Sequence, residues 1–255
     1  MRIQRAKALN AFNEYIAHYD IQREMIRLKV EHTYRVASFC EEIAKSLELS
    51  KEDVDLAWLI GLLHDVGRFE QQKNYGTFND AISIDHAKYG AQILFKDGKI
   101  RDYIEDDTED SLIWTAVYNH SAYRIPEDID ARTDMFCNII RDADKVDIFR
   151  VNVEFPLEEI YNVTREEMYT CSVTQEVMQS FWEEHAVLRS LKKVPVDNVV
   201  GHISLVYELV YEKSLALAKE QGYLAQLMSF ESENPLAREQ FAQIRAKIND
   251  FLKDK

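Results

Sequence analysis

The chain has 255 residues, a formal net charge of -14 and 46% hydrophobic residues, values that are ordinary for a folded globular protein. It contains only 7 Gly and 4 Pro. With so few helix-breaking residues, the composition excludes collagen-like, disordered and disulfide-scaffold proteins and predicts an all-α fold. The acidic charge, without any Lys/Arg cluster, argues against binding to long nucleic acid.

The N-terminal segment is charged and amphipathic and lacks the apolar core of a secretory signal. Nowhere do about 18 apolar residues run together, so we expect no membrane contact. Cys40, Cys137 and Cys171 are scattered and never in CxxC spacing, which indicates neither disulfides nor a thiolate zinc site. These features together predict a cytoplasmic protein.

The first two helices are predicted from their apolar periodicity. Residues up to about His18 form the first, and Asp20 can cap a second that runs from Ile21 to Leu47. On the second helix, His32 lies four residues before Val36 on the apolar stripe. We therefore expect His32 to point inward.

The third helix is predicted to end at the segment LIGLLHDVGRF, residues 59–69. Ser50 begins a capping-box-like sequence at its start, and His64 and Asp65 fall in its last turn if Gly67 closes it in a left-handed conformation. The helix dipole is negative at that end and favours a cation, for which a divalent metal is the simplest candidate. The alternative is a hydrogen-bonded His–Asp pair that caps a core helix.

Two further histidines are placed at helix ends. After a polar loop from Arg68 to Asp80, which is a candidate substrate-covering lid, a helix runs from about Ser83 to Lys96 with His86 in its first turn. The next helix follows the acidic stretch from Glu105 to Asp110, interpreted as a solvated loop, and ends at His120. Both histidines lie on apolar faces and should point inward.

The helix predicted from about Thr133 carries Asp144 and Asp147 at the border of its apolar face. A carboxylate so close to a buried stripe needs a cationic partner, which in the simplest interpretation is Arg141 or Lys145.

The last part of the chain shows weaker periodicity and no flexible linker or repeat. We expect helices at about residues 157–170, 174–185 and 199–222, and a last one that begins at Asn234-Pro235. The prediction is one α-helical domain over 1–255, with a core at about 21–150 and a C-terminal helical extension at about 151–255.

The inward-facing polar residues form an ordered set on separate helices: His32, His64, Asp65, His86, His120 and Asp144. One such histidine is more often a satisfied core residue than a ligand. Four of them with two carboxylates would be costly to bury without a cation. His18, His185 and His202 show no such organisation.

This order, H…HD…H…H…D, with HDVGR around the pair and RDADKVD around the last Asp, resembles the HD superfamily of metal-dependent phosphohydrolases. The likeness covers about Lys29 to Phe149, and the region after Arg150 resembles no family. The resemblance implies an HD-domain helical bundle, to which the C-terminal helices predicted from periodicity are an addition. It further implies that one divalent metal is held by His32, His64, Asp65 and Asp144. In members that hold two metals, His86 and His120 are added as ligands.

In that family pattern Asp65 is the catalytic carboxylate that bridges two cations, and a bridging water or hydroxide attacks phosphorus. Imidazole and carboxylate ligands suit Mn, Fe, Co, Ni or Zn better than Mg. Arg68, Lys73 and Arg35 are candidate donors to substrate phosphate, with exposed ion pairs as the equally simple alternative.

The implied activity is hydrolysis of a phosphoester or phosphoanhydride of a small molecule, with a nucleotide as the favoured substrate. The cyclic-dinucleotide phosphodiesterase branch is disfavoured because the chain lacks a GYP signature and His120 stands alone after Asn119. We expect none of the large accessory domains of the stringent-response branch, so a small nucleotide or another phosphomonoester or phosphoanhydride is the broader expectation. A di-iron HD-type oxygenase and a non-catalytic ligand-binding HD module are the alternatives, and the sequence leaves the oligomeric state open.

Overall fold

The computed structural model describes residues 2–253, apart from the side chain of Glu159, and within that range all regular secondary structure is helical. The predicted all-α class is confirmed. The α-helices are α1 (Arg5–Ile16), α2 (Glu24–Ser46), α3 (Lys51–Leu63), α4 (Val66–Tyr75), α5 (His86–Phe95), α6 (Ile100–Tyr103), α7 (Asp110–Asn119), α8 (Ala131–Glu154), α9 (Leu157–Tyr161), α10 (Arg165–Thr170), α11 (Gln175–Trp182), α12 (Pro195–Ile203), α13 (Glu212–Gln221), α14 (Tyr223–Met228) and α15 (Pro235–Lys253). Short 3₁₀ helices cover Asp80–Ile82, Arg189–Leu191 and Ser204–Glu208.

The chain divides into two compact units, Met1–Asp144 and Lys145–Lys255, and the division falls within α8. All six candidate ligands belong to the first unit. The expectation of one domain with a core at about 21–150 stays a prediction. None of the described helices combines the length and the apolar character needed to cross a membrane.

In the first unit, α2 packs along α3. Ser50 caps α3 as predicted, accepting a hydrogen bond from the Asp53 backbone amide at 3.1 Å. Gly61 on α3 faces α2 so closely that a Cβ at this position would lie 2.7 Å from the Cα of Ala37. This close approach of two helix backbones brings the middle of α2 to the C-terminal end of α3.

The connection after α3 differs from the prediction. Gly67 does not close a helix in the left-handed conformation; it lies inside α4, which begins directly after Asp65. A Cβ on Gly67 would lie 2.2 Å from the carbonyl oxygen of His86 and 2.7 Å from the backbone nitrogen of Gly90. Gly67 is therefore required for the contact of α4 with α5.

The predicted lid from Arg68 to Asp80 is wrong for most of its length, because α4 extends to Tyr75 and ends at Gly76 with φ of +67°. The polar composition of this segment conceals an amphipathic helix. Phe69 and Gln71 are both 0% exposed, and because they are two residues apart they are buried on different sides of the helix. An amide in a run of polar residues gives no sequence signal of burial when its partners lie elsewhere in the fold.

The second unit has a core to which α12 and α15 contribute fully buried side chains: Val196, Val199, Val200, Ile203, Phe241, Ile244 and Ile248. The buried carboxylate of Asp197 accepts hydrogen bonds from Thr174 N at 2.9 Å, Thr174 Oγ1 at 3.0 Å, Lys193 N at 2.9 Å and Val194 N at 3.2 Å. These bonds fix the start of α12 to the start of α11.

The single helix predicted at about 199–222 is wrong. The α-helical part stops at Ile203, a 3₁₀ helix follows, and α13 begins at Glu212. The last helix begins at Pro235 as predicted, and Asn234 caps it by accepting from the Leu236 amide at 2.9 Å.

Candidate metal centre

The six candidate ligands come together within the first unit, supplied by different helices. His32 lies on α2, His64 follows α3, Asp65 precedes α4, His86 begins α5, His120 follows α7 and Asp144 lies on α8. Helix ends thus supply four of them. The four imidazoles and Asp65 are at most 4% exposed, and the Asp144 side chain is 15% exposed.

One side of the cluster is built around Oδ2 of Asp65. The Nε2 atoms of His32 and His64 each lie 3.6 Å from this oxygen and 3.3 Å from each other. Oδ1 of Asp144 lies 3.1 Å from His32 Nε2 and 3.9 Å from His64 Nε2. Two imidazoles and two carboxylates therefore share one small volume.

The other side is built around Oδ1 of Asp65. The Nε2 atoms of His86 and His120 lie 3.4 and 3.7 Å from this oxygen, and 3.0 Å from each other. Each carboxylate oxygen of Asp65 thus faces its own pair of histidines.

The tautomers of three imidazoles follow from the acceptors of their Nδ1 atoms. His64 Nδ1 lies 2.7 Å from the Gly61 carbonyl oxygen, and His120 Nδ1 lies 2.8 Å from that of Val117. A carbonyl oxygen can only accept, so both Nδ1 atoms carry the proton and both Nε2 atoms present a lone pair. His86 Nδ1 faces the Asp80 carboxylate at 2.7 Å and has the same tautomer.

This donor set fits divalent metal ions. Unprotonated Nε2 atoms of His86 and His120 face each other at 3.0 Å, an arrangement that is repulsive unless a cation lies between them. Ligand atoms bound at roughly 2.1 Å to one metal are separated by roughly 3.0 to 3.4 Å, close to the separations of these atoms. His32, His64 and Asp144, and also His64, Asp65 and His120, have ligand atoms within 4.8 Å of one another and could hold an ion.

Burial and neighbouring charges shift the pKa values of these groups toward the protonation states that bind metal ions. Burial lowers the pKa of His64 to about 3, and burial followed by the charge of Arg68 lowers that of His86 to about 4. Burial alone would raise the pKa of Asp65, but Lys29 and the surrounding histidines hold it well below its usual value. At neutral pH these two imidazoles are neutral and Asp65 is ionised, which are the forms that bind metals.

Sequence reasoning missed Lys29, whose Nζ lies 2.8 Å from Asp65 Oδ2. Its side chain is 17% exposed, so it lies at the solvent-facing side of the cluster with Asp144. Lys29 precedes His32 by three residues on α2, and this i,i+3 spacing is the signal that could have placed it on the same helix face.

The three predicted phosphate donors have different surroundings. Arg68 lies next to the cluster, with Nε 3.7 Å from Asp65 Oδ1, and its NH1 donates to Asp80 Oδ1 at 2.7 Å and to the Phe78 carbonyl at 2.6 Å. Lys73 is exposed and forms an ion pair with Glu70 at 3.2 Å. The guanidinium of Arg35 lies 5.2 Å from the ring centre of Phe39.

Sequence reasoning also missed Asp80 and Gln71. Gln71 is fully buried and its amide nitrogen donates to Asp80 Oδ1 at 2.9 Å and to the Ile84 carbonyl at 2.9 Å. Neither residue belongs to a recognisable spacing pattern, because the contacts join α4 to the segment before α5.

The buried histidine and carboxylate cluster occupies the same part of the chain as a family match. The sequence model of the HD domain family matches residues 30–148. A search of the curated proteins found no significant match, and a search of the solved structures found none either. Residues 30–148 therefore match the HD domain, and this match supports membership of that part of the chain in the HD superfamily.

Proposed function

We propose that this protein is a metal-dependent phosphohydrolase that cleaves a phosphoester or phosphoanhydride bond of a small molecule, with a nucleotide as the favoured substrate. The observation that carries the proposal is the position of Asp65, whose two oxygens each face a separate pair of histidine Nε2 atoms at 3.4 to 3.7 Å. A carboxylate in this position can bridge two cations.

The residues that would hold the metals follow from this geometry. Asp65 Oδ2, His32, His64 and Asp144 would hold one ion, and Asp65 Oδ1, His86 and His120 would contribute to a second. Mn, Fe, Co, Ni or Zn suits this mixture of imidazole and carboxylate better than Mg. Such ions supply Lewis acidity toward phosphoryl oxygens and lower the pKa of water enough for hydrolysis near neutral pH.

The protein side chains at the solvent-facing side favour a phosphorylated substrate over a neutral one. Lys29 and Arg68 are 17% and 14% exposed and lie beside Asp65 Oδ2 and Oδ1, respectively. The ammonium and the guanidinium can donate to non-bridging phosphate oxygens that lie over the cluster. Their role is to neutralise and orient the phosphate, and the buried histidines behind them exclude bulk water.

The test is phosphate release from a panel of nucleotides and phosphomonoesters by the protein loaded with Mn²⁺, Co²⁺ or Fe²⁺. We expect Asp65→Asn to lower the rate by at least about 100-fold while the circular dichroism spectrum stays unchanged, because an amide is neutral and offers one good acceptor oxygen instead of two. Asp106→Asn, on the exposed acidic loop, is the matched control and should leave the rate unchanged.

Two outcomes would contradict the proposal. Equal phosphate release by metal-loaded Asp65→Asn would remove the bridging role. No release from any substrate by the wild type, together with oxygen uptake by the Fe²⁺ form, would favour a di-iron oxygenase instead.

A further inference from the structure

Asp80 provides the acceptor for the Nδ1 proton of His86, whereas His64 and His120 find this acceptor within their own helices. His64 and His120 follow the last turns of α3 and α7, where the carbonyl three residues earlier accepts their Nδ1 proton at 2.7 and 2.8 Å. His86 is the first residue of α5 and has no preceding turn of its own helix to provide such a carbonyl. Its Nδ1 instead donates to Oδ2 of Asp80, at 2.7 Å.

Asp80 is itself held firmly by α4. Its Oδ1 accepts from Arg68 NH1 at 2.7 Å and from the amide nitrogen of Gln71 at 2.9 Å. Gln71 is fully buried, and its amide also reaches the Ile84 carbonyl, two residues before His86. The carboxylate therefore has a fixed position, determined by two side chains one turn apart on the helix that follows Asp65.

The consequence is a fixed direction for the Nε2 lone pair of His86. With its Nδ1 proton directed at Asp80, the ring presents an unprotonated Nε2 at 3.4 Å from Asp65 Oδ1 and 3.0 Å from His120 Nε2. A carboxylate behind an imidazole also raises the basicity of that imidazole as a metal ligand.

We propose that Asp80 is a positioning residue for a second metal ion, and that its bond to His86 determines whether the cluster holds two divalent ions or one. This inference rests on the proposed function, because it assigns a task to one half of the metal cluster. Arg68 and Gln71 contribute to the same positioning role, because their hydrogen bonds fix the carboxylate of Asp80.

The alternative that Asp80 is a metal ligand together with Asp85 and His86 fits the contacts less well, although their ligand atoms lie close enough. Both oxygens of Asp80 already accept hydrogen bonds, Oδ2 from His86 Nδ1 and Oδ1 from Arg68 and Gln71, so neither of them faces an open position. Asp85 caps α5 by accepting from the Lys88 amide at 3.2 Å, and it forms an ion pair with Lys88 Nζ at 2.9 Å.

The experiment is a stepwise titration of chelator-treated protein with Co²⁺, followed by calorimetry and by the visible spectrum of bound cobalt. We expect two equivalents in the wild type. In Asp80→Asn the second equivalent should bind roughly 10- to 100-fold more weakly, as is typical for loss of the partner of a ligating histidine, while the first keeps its affinity and its spectrum. Asp85→Asn is the matched control from the same segment and should behave as the wild type.

A nitrogen-15 NMR spectrum of the wild type labelled at histidine gives a second readout that does not depend on folding of a variant. We expect the Zn²⁺-loaded protein to show His86 with its proton on Nδ1. A proton on Nε2 of His86, an unchanged second affinity in Asp80→Asn, or a single equivalent in the wild type would each overturn the inference. Three equivalents would make Asp80 a ligand and would also overturn it.

The titration is independent of catalysis. A wild type that binds two equivalents, with the second lost in Asp80→Asn, supports the role of Asp80 even if no phosphate ester is hydrolysed. If the protein hydrolyses a phosphate ester but Asp80→Asn leaves its metal binding unchanged, the proposed function is supported and the role of Asp80 is rejected.

Discussion

Lys29 Nζ and Asp65 Oδ2 form an ion pair at 2.8 Å at the solvent-facing side of the histidine cluster. The same oxygen lies 3.6 Å from the Nε2 atoms of His32 and His64, so the ammonium stands beside the position that suits a metal ion. Lys29 compensates the buried charge of Asp65 in this structure. In the proposed function a metal ion would take over that compensation, and Lys29 would then be available to contact substrate phosphate.

This relationship predicts a metal-dependent effect of Lys29→Met on stability. In chelator-treated protein, the variant leaves Asp65 buried without its cation, and we expect the free energy of unfolding to fall by about 3 kcal/mol. With saturating Mn²⁺ the loss should be smaller, because the metal neutralises the carboxylate and stabilises the folded state. Urea unfolding with chelator and with Mn²⁺ measures both values.

The control for this measurement is Lys45→Met, which removes an exposed ion pair with Glu41 on the same helix. It should change stability by less than about 1 kcal/mol with or without metal. Equal losses for Lys29→Met in the two metal states would show that Lys29 has no compensating role.

The depressed histidine pKa values predict that the metal-free protein loses stability as the pH falls. In the unfolded chain a histidine binds its proton near its ordinary pKa of 6.5, whereas folded His64 and His86 do so only near 3 and 4. Between these values the unfolded state binds more protons, so acidification favours unfolding, by about 1.4 kcal/mol per pH unit for each such histidine. His202, in the second unit, has a pKa lowered by burial to about 3 and acts in the same direction.

Urea unfolding of chelator-treated protein at pH 7.5, 6.0 and 5.0 measures this slope. We expect His86→Gln to reduce the slope between pH 6.0 and 5.0 by about 1.4 kcal/mol per pH unit, because one titrating group is removed. The pKa of Asp65 is also lowered, so its contribution is present above its ordinary pKa of 3.8 and is lost only below it. A stability that is constant from pH 7.5 to 5.0 would contradict the prediction.

The contact of α4 with α5 predicts a large effect of Gly67→Ala. The new Cβ would meet the His86 carbonyl oxygen at 2.2 Å, and backbone cannot move aside as a flexible side chain can. We expect a loss of about 3 kcal/mol in the free energy of unfolding, together with weaker metal binding because His86 is displaced.

Gly90→Ala is the control from the facing helix, where the nearest atom to a new Cβ would be the Gly67 nitrogen at 3.1 Å. It should cost clearly less than Gly67→Ala in the same urea experiment. Equal stability of Gly67→Ala and wild type would show that the two helices are free to separate.

The sequence by itself determined the helical class and the inward position of the histidines. Both follow from local information, because a helix repeats every 3.6 residues and its apolar face can be read from spacing alone. His32, four residues before Val36, is 1% exposed as that spacing predicts. The start of α15 at Pro235 is likewise local, since it depends on a cap and a first residue that are adjacent in the chain.

Only the tertiary structure decided which further groups contact the six candidate ligands. Lys29 and Asp80 reach Asp65 and His86 across separate elements, and no spacing pattern in one segment records the position of another. Residues 66–75 form a helix in which Phe69 and Gln71 are buried against residues of other elements, which the local sequence does not indicate. Gly67 is a second example. The sequence shows only that this position has no side chain, whereas the structure shows that the backbone of α5 occupies the place where a Cβ would lie.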